Sequence, residues 1–193
     1  MILKSHCYAE VIPLEIDKKT LLQPLSSFVI GFAICAMGKC FVAESAYGIC
    51  IIEFVDDDET MVQSRFKENW PSVVVERNDL MAQSVINRFF GLEDGLPIRI
   101  CLSGTAFQRR VWRALLDVPA GTTVSYGEVA RMVGNPGAVR AAATAVASNR
   151  VGLLVPCHRI IRNTGALGQF AWGTARKAAL LEWERSHAAA NRH

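Results

Sequence analysis

The apolar residues of this 193-residue chain follow two different repeats, and the change between them constrains the fold. In the first half, short apolar runs are separated by the turn signals Met37-Gly38 and Tyr47-Gly48. This spacing predicts an antiparallel meander of three strands, Phe28–Cys35, Cys40–Ser45 and Ile49–Val55. Beyond residue 100 the apolar residues recur at helical spacing, so we expect an α+β protein.

Two helices and a further strand are expected after the meander. An acidic run at 56–59 suits the first turn of a helix from about Glu59 to Asn69, which Trp70-Pro71 would end. A second helix is expected over Asp79–Phe90. A strand over Ile98–Leu102 should then lead into a second domain.

The second half begins with two strong signals for helix starts. Thr105-x-x-Gln108 and Ser125-x-x-Glu128 both have the spacing of a capping box, in which two side chains satisfy free backbone N–H groups. Asn135 is expected to cap a third helix that ends at Asn149. Two helices joined by a short Gly-containing turn are typical of a helix-turn-helix.

The predicted third helix consists almost entirely of Ala and Val, apart from Arg140 and Thr144. Tight packing in the core is sufficient to explain the small residues on the inner face of this helix. Its outer face lacks the several Arg, Asn or Gln side chains that read bases in the major groove. A helix surface of small side chains with one projecting arginine instead suits the minor groove, where that side chain can enter the base stack.

Charge is distributed unevenly along the chain. Residues 1–100 carry nine Lys or Arg against fourteen Asp or Glu, a net −5, whereas residues 101–193 carry twelve against four, a net +8. Eleven of those twelve basic residues are arginine, which binds phosphate well. An uneven solvated surface is one interpretation, and a polyanion facing the second half is the other.

We divide the chain into four parts. These are an extension without an assigned role at residues 1–25, an α+β domain at 26–100, a DNA-binding domain at 101–187 and a tail at 188–193.

The cysteines and the apolar runs indicate a reduced, cytoplasmic protein. Six cysteines lie at scattered spacings without a CxxC pair, and most sit in strand-like apolar runs, so we expect free thiols. A zinc site through His6 and Cys7 is an alternative, but few other ligands are available and no metal is predicted. The longest apolar run, Phe28–Ala36, is far shorter than the roughly 20 residues of a membrane span, and the first segment lacks a signal-peptide core.

Cys157 is the cysteine with the strongest chemical signal. It follows an apolar run, Val151–Val155, which is expected to be a short buried strand that Pro156 ends. His158 and Arg159 come next and would provide an electropositive setting that lowers the pKa of the thiol. Adjacent strand residues point to opposite faces, so the pair can cooperate only if the chain turns after Pro156 or a water bridges them. A Cys-His dipeptide alone is more often structural than reactive.

Two stretches around this cysteine carry a family resemblance. They are PCHRII, with Asn149 eight residues before its cysteine, and VSYGEVARMVGNPGAVRA. Both resemble the O6-alkylguanine-DNA alkyltransferase family, and most of all the alkyltransferase half of bacterial adaptive-response regulators, over roughly Leu25 to Ser186. The resemblance implies a ribonuclease-H-like N-terminal domain with a three-stranded antiparallel sheet, and a C-terminal winged helix-turn-helix domain. The regulators' zinc-binding and activating modules have no room in this chain, so the resemblance carries no expectation about transcriptional regulation.

The resemblance also assigns catalytic roles to four residues. Cys157 would accept the alkyl group, with His158 acting as its base through a bound water. Glu184 would orient His158, and Asn149 would hold the active-site turn by hydrogen bonds. The sequence supports a buried role for Glu184 independently, because it lies one turn beyond two leucines on the same helix face.

Five further residues are implied as contacts to the base or to DNA. Tyr126 would bind the flipped guanine and donate a proton toward its ring nitrogen, and Arg140 would fill the gap that the base leaves. Arg159, Gly168 and Phe170 are expected to contact substrate or DNA. The family's usual tyrosine is Phe170 here, which keeps the ring and removes the hydroxyl.

The resulting expectation is a monomeric DNA repair protein that binds double-stranded DNA through the minor groove and transfers an alkyl group irreversibly to Cys157. O6-alkylguanine is the expected substrate, with O4-alkylthymine as a second candidate. No GxGxxG or Walker sequence is present, and no cofactor is expected. A non-catalytic lesion-binding protein is the main alternative. A cysteine hydrolase is a weaker one, because no Gly-rich loop precedes Cys157 to form an oxyanion hole.

Overall fold

The computed structural model describes residues 3–4, 10–16 and 26–190, which contain a mixed seven-stranded sheet. Its strands are β1, Leu3–Lys4; β2, Glu10–Ile16; β3, Ser27–Cys35; β4, Gly38–Ser45; β5, Gly48–Phe54; β6, Val74–Arg77; and β7, Ile98–Ser103. They lie side by side in the order β1, β2, β7, β5, β4, β3, β6. Two further short strands, β8 (Val124–Ser125) and β9 (Ile160–Ile161), pair with each other in parallel.

The predicted meander is present as β3, β4 and β5. These strands pair antiparallel, from Phe28↔Ser45 in the first hairpin and from Cys40↔Phe54 in the second. Gly48 has φ 113°, and a Cβ at this position would lie 2.4 Å from the carbonyl oxygen of Arg99. Only glycine fits this turn, because both its φ and the close approach of β7 exclude a side chain.

The expectation of a three-stranded antiparallel sheet is wrong, because parallel strands extend the meander on both sides. β2 lies within the expected extension 1–25 and pairs in parallel with β7, from Val11↔Ile98 to Ile16↔Ser103. Pro13 inside β2 and the four-residue length of β6 conceal both strands from an argument based on alternation. β7 pairs within this sheet and continues to Ser103, past the boundary expected at residue 100.

Six helices pack around the sheet within the described residues: α1, Glu59–Asn69; α2, Asp79–Phe89; α3, Ala106–Leu116; α4, Tyr126–Met132; α5, Val139–Ala147; and α6, Thr174–Ala190. None of these helices combines the length and apolar character needed to cross a membrane. α6 extends into the tail expected over 188–193. His6 and Cys7, which were considered as zinc ligands, lie outside the described residues, as do residues 191–193.

The two faces of the sheet bury separate cores. Along β4, Cys40 and Val42 belong to one apolar cluster, whereas Phe41 and Ala43 belong to the other, as the two-residue repeat of a strand requires. The Phe41 cluster packs under α1. The Cys40 cluster packs under α2 and continues into buried residues of α3, α4 and α5, so the second half of the chain rests on this face.

Both predicted capping boxes are present. Gln108 N donates to Thr105 Oγ1 over 3.2 Å, and Gln108 Oε1 accepts from Thr105 N over 2.8 Å. Ser125 and Glu128 make the equivalent pair of bonds at the start of α4. These short local motifs fix the first residues of α3 and α4, and therefore the position of Tyr126 at the start of α4.

Two local predictions around α5 are wrong. Asn135 does not cap the helix; it begins a turn that Ala138 N closes by donating to Asn135 O over 3.0 Å, and α5 begins at Val139 without a side-chain cap. Asn-Pro-Gly is itself a turn sequence, and this explains the later start. The expected strand Val151–Val155 is a series of turns instead, with one bridge from Val151 to Ile52 and Leu153 at φ 66°.

Candidate active site

Cys157 lies at the start of a short 3₁₀ turn, Cys157–Arg159, directly after Pro156. The chain therefore turns directly after Pro156, and such a turn is one of the two conditions under which Cys157 and His158 can cooperate. Cys157 N donates to Val155 O over 2.8 Å, and the residue is 7% exposed. The thiol is thus held in a tight backbone turn at the edge of the core.

Asn149 fixes this turn from the end of α5. Its Nδ2 donates to Val155 O over 3.0 Å and to Cys157 Sγ over 3.3 Å, while its Oδ1 accepts from Val151 N over 3.0 Å. The side chain is buried, so these bonds are shielded from water. One amide therefore positions both the backbone of the turn and the sulfur atom.

His158 and Glu184 form a fully buried pair. His158 Nε2 and Glu184 Oε1 lie 2.7 Å apart, and both side chains are 0% exposed. Burial raises the pKa of Glu184, but hydrogen bonds from His158 and Arg159 outweigh it and lower that pKa to about 2. Burial lowers the pKa of His158, although Glu184 opposes this. The pair therefore rests as a carboxylate and a neutral imidazole.

Arg159 is the second partner of Glu184, and the expectation that it contacts substrate or DNA is wrong. Its Nε lies 3.0 Å from both carboxylate oxygens and its Nη2 lies 2.7 Å from Oε1, while Nη1 donates to Val118 O. The side chain is 0% exposed. An arginine with no access to solvent holds the core together and cannot reach a nucleic acid.

The expectation that neighbouring charges lower the pKa of Cys157 is also wrong. Burial raises the pKa of this thiol, and the hydrogen bond from Asn149 and the positive charge of Lys177 offset it only in part. The charge of Arg159 is paired with Glu184. The sulfur therefore rests as a neutral thiol and needs a base at the moment of reaction.

Lys177 is a site residue that the sequence analysis missed. It is 1% exposed, and its Nζ donates to Ile160 O over 2.5 Å and to Leu167 O over 2.6 Å. It thereby ties the segment after Cys157 to the loop that ends in Phe170. The signal was present, because Lys177, Leu180 and Glu184 recur at helical spacing on one face of α6.

A cleft of about 450 Å³ opens beside Cys157. It is lined by Tyr126, Val146, Ala147, Asn149, Cys157, Gln169, Phe170, Ala171, Trp172, Gly173 and Thr174. The rings of Phe170 and Trp172 meet edge to face at 5.1 Å. Burial and the nearby Cys157 raise the pKa of Tyr126, so its hydroxyl stays protonated.

Of the nine predicted site residues, five line or adjoin the cleft, three lie buried behind Cys157 (His158, Arg159 and Glu184), and Arg140 lies outside. Gly168 adjoins the cleft, since a Cβ on it would lie 3.7 Å from the Tyr126 hydroxyl, and its φ is 70°. Arg140 is exposed near the start of α5 and does not line the cleft. α5 itself turns Ala142, Ala145 and Val146 inward and leaves a surface of small residues outside.

Comparison with known proteins identifies relatives of this arrangement. Residues 106–186 match the family model described as the DNA binding domain of 6-O-methylguanine DNA methyltransferase. The bifunctional transcriptional activator and DNA repair enzyme Ada of Escherichia coli is 42% identical over 154 residues, covering 78% of this chain and 43% of Ada. A methylated-DNA–protein-cysteine methyltransferase of Mycobacterium tuberculosis is 46% identical over 107 residues, covering 55% of this chain and 65% of that protein.

Solved structures extend the match to most of the chain. The crystal structure of Mycobacterium tuberculosis O6-methylguanine methyltransferase superimposes with a TM-score of 0.67 at 30% identity, covering 83% of this chain and 94% of that one. A structure of the Mycobacterium tuberculosis protein in complex with DNA matches with a TM-score of 0.66 at 29% identity. The chain spans less than two thirds of the length of the Ada and methyltransferase sequences given above. With a matched fold, a matched DNA-binding segment and PCHR at the cleft, this chain belongs to the O6-alkylguanine-DNA alkyltransferase family.

Proposed function

We propose that this protein repairs alkylated DNA by transferring the alkyl group from O6 of guanine, and as a second substrate from O4 of thymine, directly to Cys157. The observation that carries the proposal is the Cys157 thiol at an aromatic cleft, next to the buried His158–Glu184 pair. The relatives' names describe the same transfer to a protein cysteine. No cofactor takes part, because the sulfur receives the group itself.

The proposed chemistry begins with removal of the thiol proton. His158 accepts it through a water, using Nδ1, which is buried and has no hydrogen-bond partner among the described residues. Glu184 holds the ring and stabilises the imidazolium that forms, as the carboxylate does in a hydrolase triad. The Cys157 thiolate then attacks the alkyl carbon, a carbon–sulfur bond forms and the bond from that carbon to O6 breaks.

The proposed cleft residues serve the leaving base. Tyr126 donates its hydroxyl proton to the ring nitrogen on which charge develops, and its raised pKa favours the protonated phenol at neutral pH. The Phe170 ring stacks on the base, and Gly168 allows the loop to approach closely. The product is a thioether without a good leaving group, so each molecule would act once.

The proposed DNA interface is a winged helix-turn-helix domain that begins with α3, carried by an α+β domain whose sheet includes β2 and runs through β7. α4 and α5 supply the helix pair, and the outer face of α5, which carries mostly small side chains, suits the minor groove of double-stranded DNA. Arg140, exposed near the start of α5, would enter the stack as the base leaves. A monomer suffices, because one cleft and one helix pair lie on the same chain.

Intact-mass measurement after mixing with a duplex containing O6-methylguanine tests the proposal. The protein should gain one methyl group, located on Cys157 by peptide mapping, while Cys157→Ala should bind the duplex and gain nothing. Binding without any gain in the natural protein would favour the lesion-binding alternative. Turnover of an ester substrate would favour a hydrolase. A full gain of mass in Cys157→Ala would move the acceptor to another cysteine.

A further inference from the structure

The β3–β4 hairpin brings a second pair of thiols together. Cys35 pairs with Gly38 and Cys40 pairs with Ala33, so the two cysteines lie diagonally across the hairpin on one face. Cys35 Sγ donates to Gly38 O over 3.4 Å, and Cys35 packs against the same apolar cluster on one face of the sheet that contains Cys40. Cys35 is half-buried and Cys40 is fully buried. One thiol of the pair therefore meets solvent and the other lies behind it.

Arg176 of α6 contacts this hairpin while its guanidinium is paired with Asp56. Its Nε donates to Met37 O over 3.0 Å, and its Nη2 lies 3.2 Å from the position of a Cβ on Gly38. The hydrogen bond from Cys40 lowers the pKa of Cys35 to about 7 against the effect of burial, and Arg176 contributes in the same direction. The same contact and burial raise the pKa of Cys40. A half-buried thiol that ionises near neutral pH thus lies beside a protonated thiol, the arrangement found in cysteines that react with oxidants.

The other described cysteines lack this combination. Burial raises the pKa of Cys50, Cys101 and Cys157. Because the thiolate is the form that reacts with peroxide, these three should react more slowly than Cys35.

We propose that Cys35 and Cys40 are a redox site that forms a reversible disulfide with hydrogen peroxide while Cys157 keeps its thiol. The Cys35 thiolate attacks one peroxide oxygen, the O–O bond breaks, and hydroxide leaves and takes up a proton to become water. Cys35 is then a sulfenic acid. Cys40 loses its proton and attacks the Cys35 sulfur, displacing a second hydroxide that leaves as water. Two thiols are oxidised, one peroxide is reduced, and a dithiol reductant restores the pair.

Peptide mapping of the natural protein after peroxide treatment tests this site. Free thiols are blocked with iodoacetamide, and trypsin then cuts after Lys39, between the two cysteines. Peptides 20–39 and 40–65 should be recovered joined, and dithiothreitol should separate them. Peptide 151–159, with Cys157, should carry the iodoacetamide label. A Cys157 peptide oxidised before the hairpin peptides, or peptides 20–39 and 40–65 recovered unjoined, would overturn the proposal.

Variants identify the partner, because peptide 40–65 also contains Cys50. Cys50→Ser should keep the cross-link, whereas Cys40→Ser should lose it and leave a sulfenic acid on Cys35 that dimedone traps. Cys35→Ser, at a half-exposed position that tolerates serine, should leave Cys40 unoxidised. A cross-link that survives in Cys40→Ser and disappears in Cys50→Ser would show that Cys35 pairs with Cys50, and this result would overturn the proposal. These readouts do not depend on alkyl transfer, so they stand apart from the test of Cys157.

Discussion

Glu184 balances the charges of the buried site. Its carboxylate accepts from Arg159, contacts His158 and accepts from Gly121 N over 3.1 Å. A buried charge is tolerated only when its partners are complete, since each ion loses its hydration. In the proposed mechanism Arg159 would act only through Glu184, whose carboxylate it holds beside His158.

Removal of Arg159 should destabilise the protein strongly. Arg159→Met leaves the Glu184 charge with fewer partners inside the core, and breaking a buried pair of this kind costs about 3–5 kcal/mol. Arg185→Met is the matched control, since it breaks an exposed pair with Glu182 on the same helix, worth about 0–1 kcal/mol. Urea unfolding measures both free energies. Equal losses in the two variants would contradict the structural role given to Arg159.

The low pKa of Glu184 should appear in the pH dependence of stability. The pKa falls from the usual 4.5 to about 2 on folding, so the ionised carboxylate stabilises the native state fully above about pH 4.5. This contribution disappears as the pH falls toward 2. Glu184→Gln cannot ionise, so the difference in unfolding free energy between the natural protein and the variant should shrink over this range. A difference that stays constant from pH 6 to 2 would rule out the shift.

The sequence predicts which side chains meet at the candidate site better than it predicts their environment. Cys157, His158 and Asn149 lie in one short motif, and Glu184 is located by its helix face and by the family resemblance. The burial of Arg159 and Lys177 depends on contacts between residues 10 to 41 positions apart. Lys177 shares a helix face with Leu180 and Glu184, but no local pattern identifies the distant partners of either residue, and both side chains are usually exposed in proteins.

At the scale of elements, α5 connects the proposed DNA surface with the thiol. Its inner face packs in the core, Val146 and Ala147 line the cleft, and Asn149 follows its last turn. Arg140 lies on its outer side. In the proposed function the helix therefore separates two tasks, because residues near its start would act in base extrusion without touching Cys157.

Single-turnover rates should separate these tasks. Arg140→Ala should slow alkyl transfer from duplex DNA by roughly tenfold or more, since base extrusion costs a few kcal/mol and the inserted side chain offsets part of it. Free O6-alkylguanine base needs no extrusion and should react at nearly the natural rate. His158→Ala should slow both substrates together, because it removes the base for the thiol. An Arg140→Ala protein that is equally slow on both substrates would show that the roles are misassigned.

Elements defined by local chemistry were predicted well, and elements defined by distant partners were not. The meander and the two capping boxes follow from turn and cap residues that lie next to each other in the sequence. β2 exists because β7 offers it a parallel edge, and residues 151–155 form turns around the Asn149 side chain. The partner of β2 lies more than 80 residues away in the sequence, whereas Asn149 is close by but its role is hidden because the run 151–155 is apolar like a buried strand.

At the scale of the whole molecule, the chain places opposite charges on its two halves. The acidic half builds most of the sheet with α1 and α2, while the basic half carries α4, α5 and the cleft. A duplex approaching the cleft would meet the basic half, and the acidic half would be repelled from phosphate. The charge distribution thus favours one orientation of the protein on DNA.

This orientation predicts DNA binding that depends on salt and only weakly on sequence. Each phosphate contact releases counterions, so the logarithm of the affinity should fall linearly with the logarithm of salt concentration. Arg131→Gln removes an exposed charge on α4 and should lower that slope by about 1. Lys67→Gln removes an exposed charge on α1, in the acidic half, and should leave the slope unchanged. Fluorescence anisotropy with duplexes of several sequences measures both variants. Equal slopes for Arg131→Gln, Lys67→Gln and the natural protein would place the DNA elsewhere, since a duplex held against α4 must respond to the first charge and ignore the second.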